Sequence, residues 1–217
     1  SLLAALRHAE RTGQGQQVDI ALLDTSLAAL VNIASSALIT GQPPARYGNA
    51  HPNIVPYQPF RAADGQFTLA VGNDRQFAAL CQLIERPDLA ADSRFSTNPA
   101  RVENRDVLTP ILSTIFLTRS AAEWVEALLA RNVPAGLVND VLTALNDPQI
   151  ESRGLAQAMP YLDDVLKLVG PPVGFSTTPA MARTPPPALG QHTDEILRDL
   201  LGCDETTIAQ YRAAGVI

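Results

Sequence analysis

Lysine is nearly absent. Lys167 is the only one in 217 residues, and fifteen arginines carry the rest of the positive charge against a net charge of −6. That balance argues against a nucleic-acid binder, which gathers basic residues along one face; the arginine-for-lysine skew itself reads as a habit of composition. Cysteine is scarce too. Cys81 and Cys203 lie far apart in helix-like contexts with no CxxC pair, which predicts a buried thiol at each rather than a disulfide, in a reducing cytoplasm. The three histidines, His8, His51 and His192, are isolated in sequence, and none stands at ligand spacing from another His, Cys or carboxylate, so no metal site is expected. There is no GxSxG elbow, P-loop or GxGxxG fingerprint; Gly13-x-Gly15 reads as a plain turn. No apolar run reaches the roughly 20 residues of a membrane span. The longest candidate, Ile20–Ile39, is interrupted by Asp24, Thr25, Asn32 and the Ser35–Ser36 pair, so it reads as a soluble helix with no membrane partner. The opening Ser1-Leu2-Leu3 lacks the charged region and cleavage site of a signal peptide. An amphipathic turn instead begins at once with Leu2, Leu3 and Leu6, the pattern expected where a longer chain has been cut within a helix.

What is present is a regular alternation of helical and extended patterns. Residues 1–11 read as the end of a helix, and Thr12-Gly13-Gln14-Gly15 as a turn. A short strand is expected at Val18 and Ile20. A single long helix follows through Leu22, Leu23, Leu27, Leu30, Val31 and Ala34, stopped by Gly41. Gln42–Pro59 holds five prolines and reads as a loop. Asp64-Gly65 marks a hairpin, after which Phe67, Leu69 and Val71 alternate on one strand face. Asn73 or Asp74 caps a helix whose buried stripe is Phe77, Leu80, Cys81 and Ile84. Beyond a connection at Pro87–Pro99, a helix carries Val107, Leu108, Ile111, Leu112 and Ile115, with Pro110 tolerated as a kink or near an end. Ser120-Ala-Ala-Glu123 is a capping box opening a helix with Trp124, Val125 and Leu128. Val133–Val138 is extended, Asp147-Pro148 starts a short helix ended by Gly154, and 155–178 is mostly extended. Pro185-Pro186-Pro187 is a stiff linker, and two helices, 193–201 and 205–214, finish the chain. The class is α/β, with a compact middle segment between two ends.

Chemistry alone points to the loop Tyr47-Gly48-Asn49-Ala50-His51-Pro52-Asn53. Glycine exposes backbone amides that hold an oxyanion or carboxylate, and Asn and His add neutral donors; a surface turn ordered by prolines is the alternative. Asp19 and Asp24 read as solvated or capping carboxylates. Asn73-Asp74 reads as a helix cap, although a strand followed by a capped helix also delivers polar groups to a cleft.

Several stretches together resemble the family III CoA-transferases of the CaiB/BaiF type. Glu10-Arg-Thr-Gly-Gln-Gly-Gln-Gln-Val-Asp-Ile-Ala-Leu-Leu-Asp24 is similar to the family's "ERTGxGQxVDxxLxD" segment. Tyr47–Tyr57 and Phe60–Gly65 resemble its central loop and hairpin. Val71–Phe77, Asp92–Asn98 with Arg101 to Arg105, Val133–Gly136 and Leu189-Gly-Gln-His-Thr193 follow in the family's order. The likeness covers essentially the whole chain and marks it as the C-terminal portion of such an enzyme.

The resemblance implies a mechanism. An aspartate attacks an acyl-CoA thioester, a mixed anhydride and then an aspartyl-CoA thioester form, and a carboxylic acid acceptor takes the CoA. The family aspartate precedes the "ERTGxGQ" segment, where this chain has none, so no catalytic residue carries over. The substrate-binding expectations are Gly48, Asn49, His51, Asn53 and Tyr57, with Asn73 and Asp74 as secondary polar groups. The missing lysines fit a portion that does not itself grip the nucleotide phosphates. Lacking the run of glycines seen in formyl-CoA transferases, the loop looks more like the branch acting on dicarboxylates or larger acyl groups. No permanently bound cofactor is implied; acyl-CoA is a substrate.

By the same likeness, 1–50 ends the N-terminal part of a Rossmann-like large domain, 51–135 is most of a small domain, and 136–217 returns to the large one. The intact protein would be an interlocked homodimer, and the apolar surface left by a missing half would be exposed. Two alternatives stay open. One is an α-methylacyl-CoA racemase, which would carry a glutamate in a pattern like "AIEPQF" where this chain has Gly72-Asn73-Asp74-Arg75-Gln76-Phe77. The other is a non-catalytic module that binds a partner half-chain.

Overall fold

The computed structural model describes residues 1–217, which divide into two compact units, Ser1–Val138 and Asn139–Ile217. In the first unit α1 (Leu2–Thr12) ends on Gly13, whose φ of 72° gives the left-handed cap that glycine accepts without steric cost. The expected strand at Val18 and Ile20 does not form. The expected long helix is two: α2 (Leu22–Ala28) and α3 (Asn32–Thr40) meet at 83°. The break falls at Val31, a β-branched residue at φ 44°, a conformation its side chain disfavours and no periodicity reveals. No single helix is long and apolar enough to cross a membrane.

None of α1, α2 or α3 buries a residue. The core runs instead from Val55 to Val133. Its frame is an antiparallel sheet of β1 (Tyr57–Arg61), β2 (Gln66–Ala70) and β3 (Ala135–Leu137), with β2 central. The loop thus ends at Pro56 rather than Pro59. The Tyr57 carbonyl accepts the His51 amide and so faces away from β2. Residues two apart share that orientation, so Pro59 places its missing N–H on the unpaired edge, where it removes no ladder bond. Phe67, Leu69 and Val71 are fully buried as their alternation predicts, and Phe60 pairs with Phe67 across the hairpin.

Five helices follow β2: α4 (Asp74–Leu83), α5 (Pro87–Ala91), α6 (Asn98–Glu103), α7 (Arg105–Phe116) and α8 (Ala121–Leu129). The Pro87–Pro99 connection therefore contains α5 and the start of α6, each opened by a proline in its first turn. α7 packs on β1, and α8 on β2 and β3. Phe116 meets Phe60, Phe67 and Trp124 edge-on at 5.0–5.1 Å, an arrangement that aligns ring edges with ring faces. Pro110 lies inside α7 rather than near an end, forfeiting one helical hydrogen bond. The capping box forms as read: Ser120 Oγ accepts the Glu123 amide and the Glu123 carboxylate accepts the Ser120 amide. The hairpin turn docks on this cap, since Asp64 Oδ1 accepts the Ala121 amide at 2.8 Å.

The stripe Phe77, Leu80, Cys81 and Ile84 is buried. Burial pushes the Cys81 thiol up to about 12. Because its folded value lies above its unfolded one, the thiol favours the fold below the unfolded value near 9, and that contribution is lost as pH rises. We expect stability to fall above pH 9 by about 1.4 kcal/mol per unit, measured by urea melts of the wild type against Cys81→Ala. Equal slopes in the two proteins would refute it. Cys203 departs from expectation in being only half-buried, and both thiols are free.

The second unit holds α9 (Val141–Leu145) and α10 (Pro148–Ser152), the hairpin β4 (Ala156–Tyr161) with β5 (Asp164–Val169), and α11 (Thr193–Asp199) and α12 (Glu205–Ala213). Asp140, Asp147 and Asp204 cap their helices through side-chain oxygens. Ile208 on α12 is its one large, fully buried aliphatic side chain.

Candidate functional site

The loop from Tyr47 to Pro56 is held from beneath by α6 and the start of α7. Half-buried Arg105 donates to the carbonyls of His51 (3.3 Å) and Pro52 and lays its guanidinium over the Tyr47 ring. Asn98 donates to the Asn53 carbonyl at 2.8 Å and accepts the Val55 amide at 3.2 Å. Arg101 has no exposed surface. It donates to the carbonyls of Val55 (2.7 Å) and Phe95 (2.9 Å) and to Asp74 Oδ1 (2.8 Å), and its guanidinium sits 4.4 Å from the Phe77 ring centre. A guanidinium suits this position because its planar fork presents several donors at once and so compensates its own desolvation.

Above these anchors the loop turns at Gly48, φ 60°, where the Ala50 amide donates to the Tyr47 carbonyl. The Gly48 and Asn49 amides donate to no protein group, while those of Ala50, His51 and Asn53 are all engaged. Two successive free amides beside an exposed carboxamide form the kind of concavity that accepts an oxyanion. His51 is fixed in role as well as place: its Nδ1 accepts the Asn53 amide at 3.1 Å, so the neutral ring carries its proton on Nε2. The ring stacks on Tyr57 at 5.4 Å.

The sequence-chosen residues do not converge on one cavity. Asn49 and Tyr47 line a hollow of about 240 Å³ with Gln58, Arg61 and Gln66. Asn53 lines another of about 300 Å³ with Ser36 and Thr40 of α3. Asn73 and Asp74 part company. Asn73 caps α4, accepting the Gln76 amide at 2.9 Å, and lines a third cavity of about 530 Å³. Asp74 does not line it and pairs with Arg101 instead. Asp19 and Asp24 are exposed. No group of three or more His, Cys, Asp or Glu side chains is placed to hold a metal ion. What the sequence left without a role is the set Asn98, Arg101 and Arg105; the segment Asp92–Arg105 stood out, but nothing in it says that a charged side chain is buried.

The pattern of CoA-transferase family III matches residues 1–193, and the chain belongs to that family. It is 41% identical over 207 residues to a succinate–glutarate CoA-transferase of Agrobacterium fabrum, covering 95% of this chain and 52% of that protein. It is 35% identical to the human succinyl-CoA:glutarate CoA-transferase, covering 100% of this chain and 50% of that one. Among solved structures, a CaiB/BaiF family protein from Brucella suis superposes with a TM-score of 0.75 at 38% identity, over 92% of this chain and 52% of that one. The chain thus spans about half the length of these relatives.

Proposed function

We propose that this chain is the acceptor-side portion of an enzyme moving coenzyme A from an acyl-CoA to a dicarboxylic acid. The nucleophilic aspartate would lie outside these 217 residues. Its carboxylate attacks the thioester carbonyl and expels CoA thiolate, giving a mixed anhydride. The thiolate attacks the aspartyl carbonyl and releases the donor acid. Acceptor carboxylate then attacks the aspartyl thioester and expels CoA thiolate, giving a second mixed anhydride. The thiolate attacks its acceptor carbonyl, forming the new acyl-CoA and freeing the aspartate carboxylate. Each attack builds negative charge on a carbonyl oxygen, and donors held in place beforehand stabilise it. The free Gly48 and Asn49 amides, on a loop pinned by Arg105 and Asn98, are the observation that carries this reading. His51, proton on Nε2 and ring stacked on Tyr57, would stand beside the same loop, while Asn53 would serve from the separate hollow it lines with Ser36 and Thr40.

Dicarboxylates are favoured because the relatives named above act on succinate and glutarate. Proton transfer of the racemase kind is less favoured, because the Asp74 carboxylate is engaged by Arg101. We also read 51–135 as the small domain, 1–50 and 136–217 as parts of a larger one, and the intact protein as a homodimer. The core spanning Val55–Val133 supports the first of these.

The test is mass spectrometry of the protein that carries this chain, incubated with succinyl-CoA and glutarate. Glutaryl-CoA should form, whereas the 217 residues alone should yield neither product nor covalent adduct. A CoA adduct on any carboxylate within residues 1–217 would overturn the placement of the nucleophile.

A further inference from the structure

The cavity of about 530 Å³ beside α4 is lined by Asn73, Arg75, Gln76, Ala79, Arg131 and Asn132. Two of these are arginines, and no carboxylate is among them. In a chain of net charge −6, that is a local inversion of sign. Neither guanidinium belongs to any ion pair of the molecule. Arg75 makes no hydrogen bond to the protein, and Arg131 makes one long contact of 3.3 Å to the Ala127 carbonyl. Arg86, Arg94, Arg198 and Arg212 are committed to acids and Arg101 and Arg105 to carbonyls. Arg11, Arg46, Arg61, Arg153 and Arg183 are also unpaired, but of the unpaired arginines only Arg75 and Arg131 share one cavity.

The walls carrying the two arginines are also tied together. Gln76 Nε2 donates to the Asn132 carbonyl at 3.1 Å, while Gln76 Oε1 accepts the Gly72 amide at 2.7 Å. One side chain thus joins the end of the β2 segment, the first turn of α4 and the turn after α8. Asn132 stands at φ 57°, a conformation asparagine tolerates better than most residues. Asn73 spends its carbonyl oxygen on the Gln76 amide, which leaves its NH₂ as a donor. The cavity therefore offers two unpaired guanidiniums and a carboxamide on a braced frame, with no acid to compete. Guanidinium forks match the two oxygens of a carboxylate or phosphate.

We propose that this cavity is an oxyanion-binding subsite, in which Arg75 and Arg131 together hold a carboxylate or phosphate of the ligand. The choice of ligand rests on the transferase reading, which supplies two sources of that chemistry: the non-reacting carboxylate of a dicarboxylic acid, or a phosphate of CoA.

The 217-residue chain itself serves for the test, since the cavity lies within one of its units. Glutarate, butyrate and adenosine 3′,5′-bisphosphate are titrated separately while the arginine Nε–H resonances are followed by ¹⁵N NMR. Saturable shifts of Arg75 and Arg131 with glutarate, and weaker ones with butyrate, assign the subsite to the acid. Saturation by the bisphosphate instead assigns it to the nucleotide end. In either case Arg75→Gln and Arg131→Gln should each weaken binding by about tenfold or more, one charge-assisted contact's worth, and added salt should weaken it further. Arg153→Gln, in the other unit, should change nothing. Both cavity arginines are exposed, so the variants should fold, with buried Trp124 as the fluorescence check. Absence of saturable shifts with every ligand, or binding unchanged in both cavity variants, overturns the proposal. Its failure beside intact CoA transfer in the whole protein would leave the functional reading standing; oxyanion binding without CoA transfer would do the reverse.

Discussion

Arg101→Met should lower the unfolding free energy of the Val55–Val133 core by about 3–5 kcal/mol. Three acceptors lose their donor at once. Asp74, with its side chain 54% exposed, is resolvated at little cost. The carbonyls of Val55 and Phe95 face the position of a side chain with no exposed surface, and water cannot replace the guanidinium without opening the core. Methionine keeps the aliphatic stem and removes the charge but ends where the guanidinium begins, so the loss combines the hydrogen bonds with the space of the missing Cζ and Nη atoms. Arg101→Lys should recover little, because one ammonium cannot reach acceptors on the loop, the Phe95 turn and α4 together. Urea melts followed by Trp124 fluorescence measure both. A shift below about 1 kcal/mol would show that the carbonyls find other partners. The loop should loosen with the core, since Arg101 is the one side chain bonded both to Val55 and to the α4 cap region.

A second large effect concerns α1, α2 and α3. Their amides should exchange with solvent on the order of 10³-fold or more faster than those of β2, α7 and α8. The helices bury nothing, and Leu2, Leu3, Leu22, Leu38 and Ile39 are each at least 75% exposed. Short helices without a buried face are marginal in water. Amides of the core open only when the sheet and its helices separate. Hydrogen exchange read by mass spectrometry on the 217-residue chain gives the contrast directly, and comparable protection in both segments would refute it. If these helices belong to a larger domain, as proposed, adding a polypeptide equivalent to the relatives' other half should slow their exchange and leave the core unchanged.

How much could be read from the residues differs by the kind of information each carries. Phe67-x-Leu69-x-Val71 announces its strand because alternation and burial are the same fact in an antiparallel sheet. Ser120-x-x-Glu123 announces its helix start because both capping bonds are local. The Ile20–Ile39 segment misleads for a complementary reason: its apolar spacing continues through Val31, and only the backbone there, not the side-chain pattern, departs from a helix. At the candidate site, the loop was legible from its Gly, Asn and His content, while its anchors were not. An arginine in a polar stretch reads as solvated unless its acceptors are known, and those of Arg101 lie 46, 27 and 6 residues away in sequence. The Arg75–Arg131 cavity is hidden in the same way, its two cations being brought together only by the turn after α8.

Pro59 has a consequence beyond the ladder it leaves intact. A three-stranded sheet has two open margins, and such margins recruit strands from other molecules. On the β1 side, Pro59 puts a proline ring where an incoming strand would need an amide. On the other side β3 is only three residues long and directly follows Pro134, too short to template a partner. A chain with this much bare aliphatic surface on α1, α2 and α3 would thus adhere through those helices, side chain to side chain, while this three-stranded sheet recruits no strand at either margin.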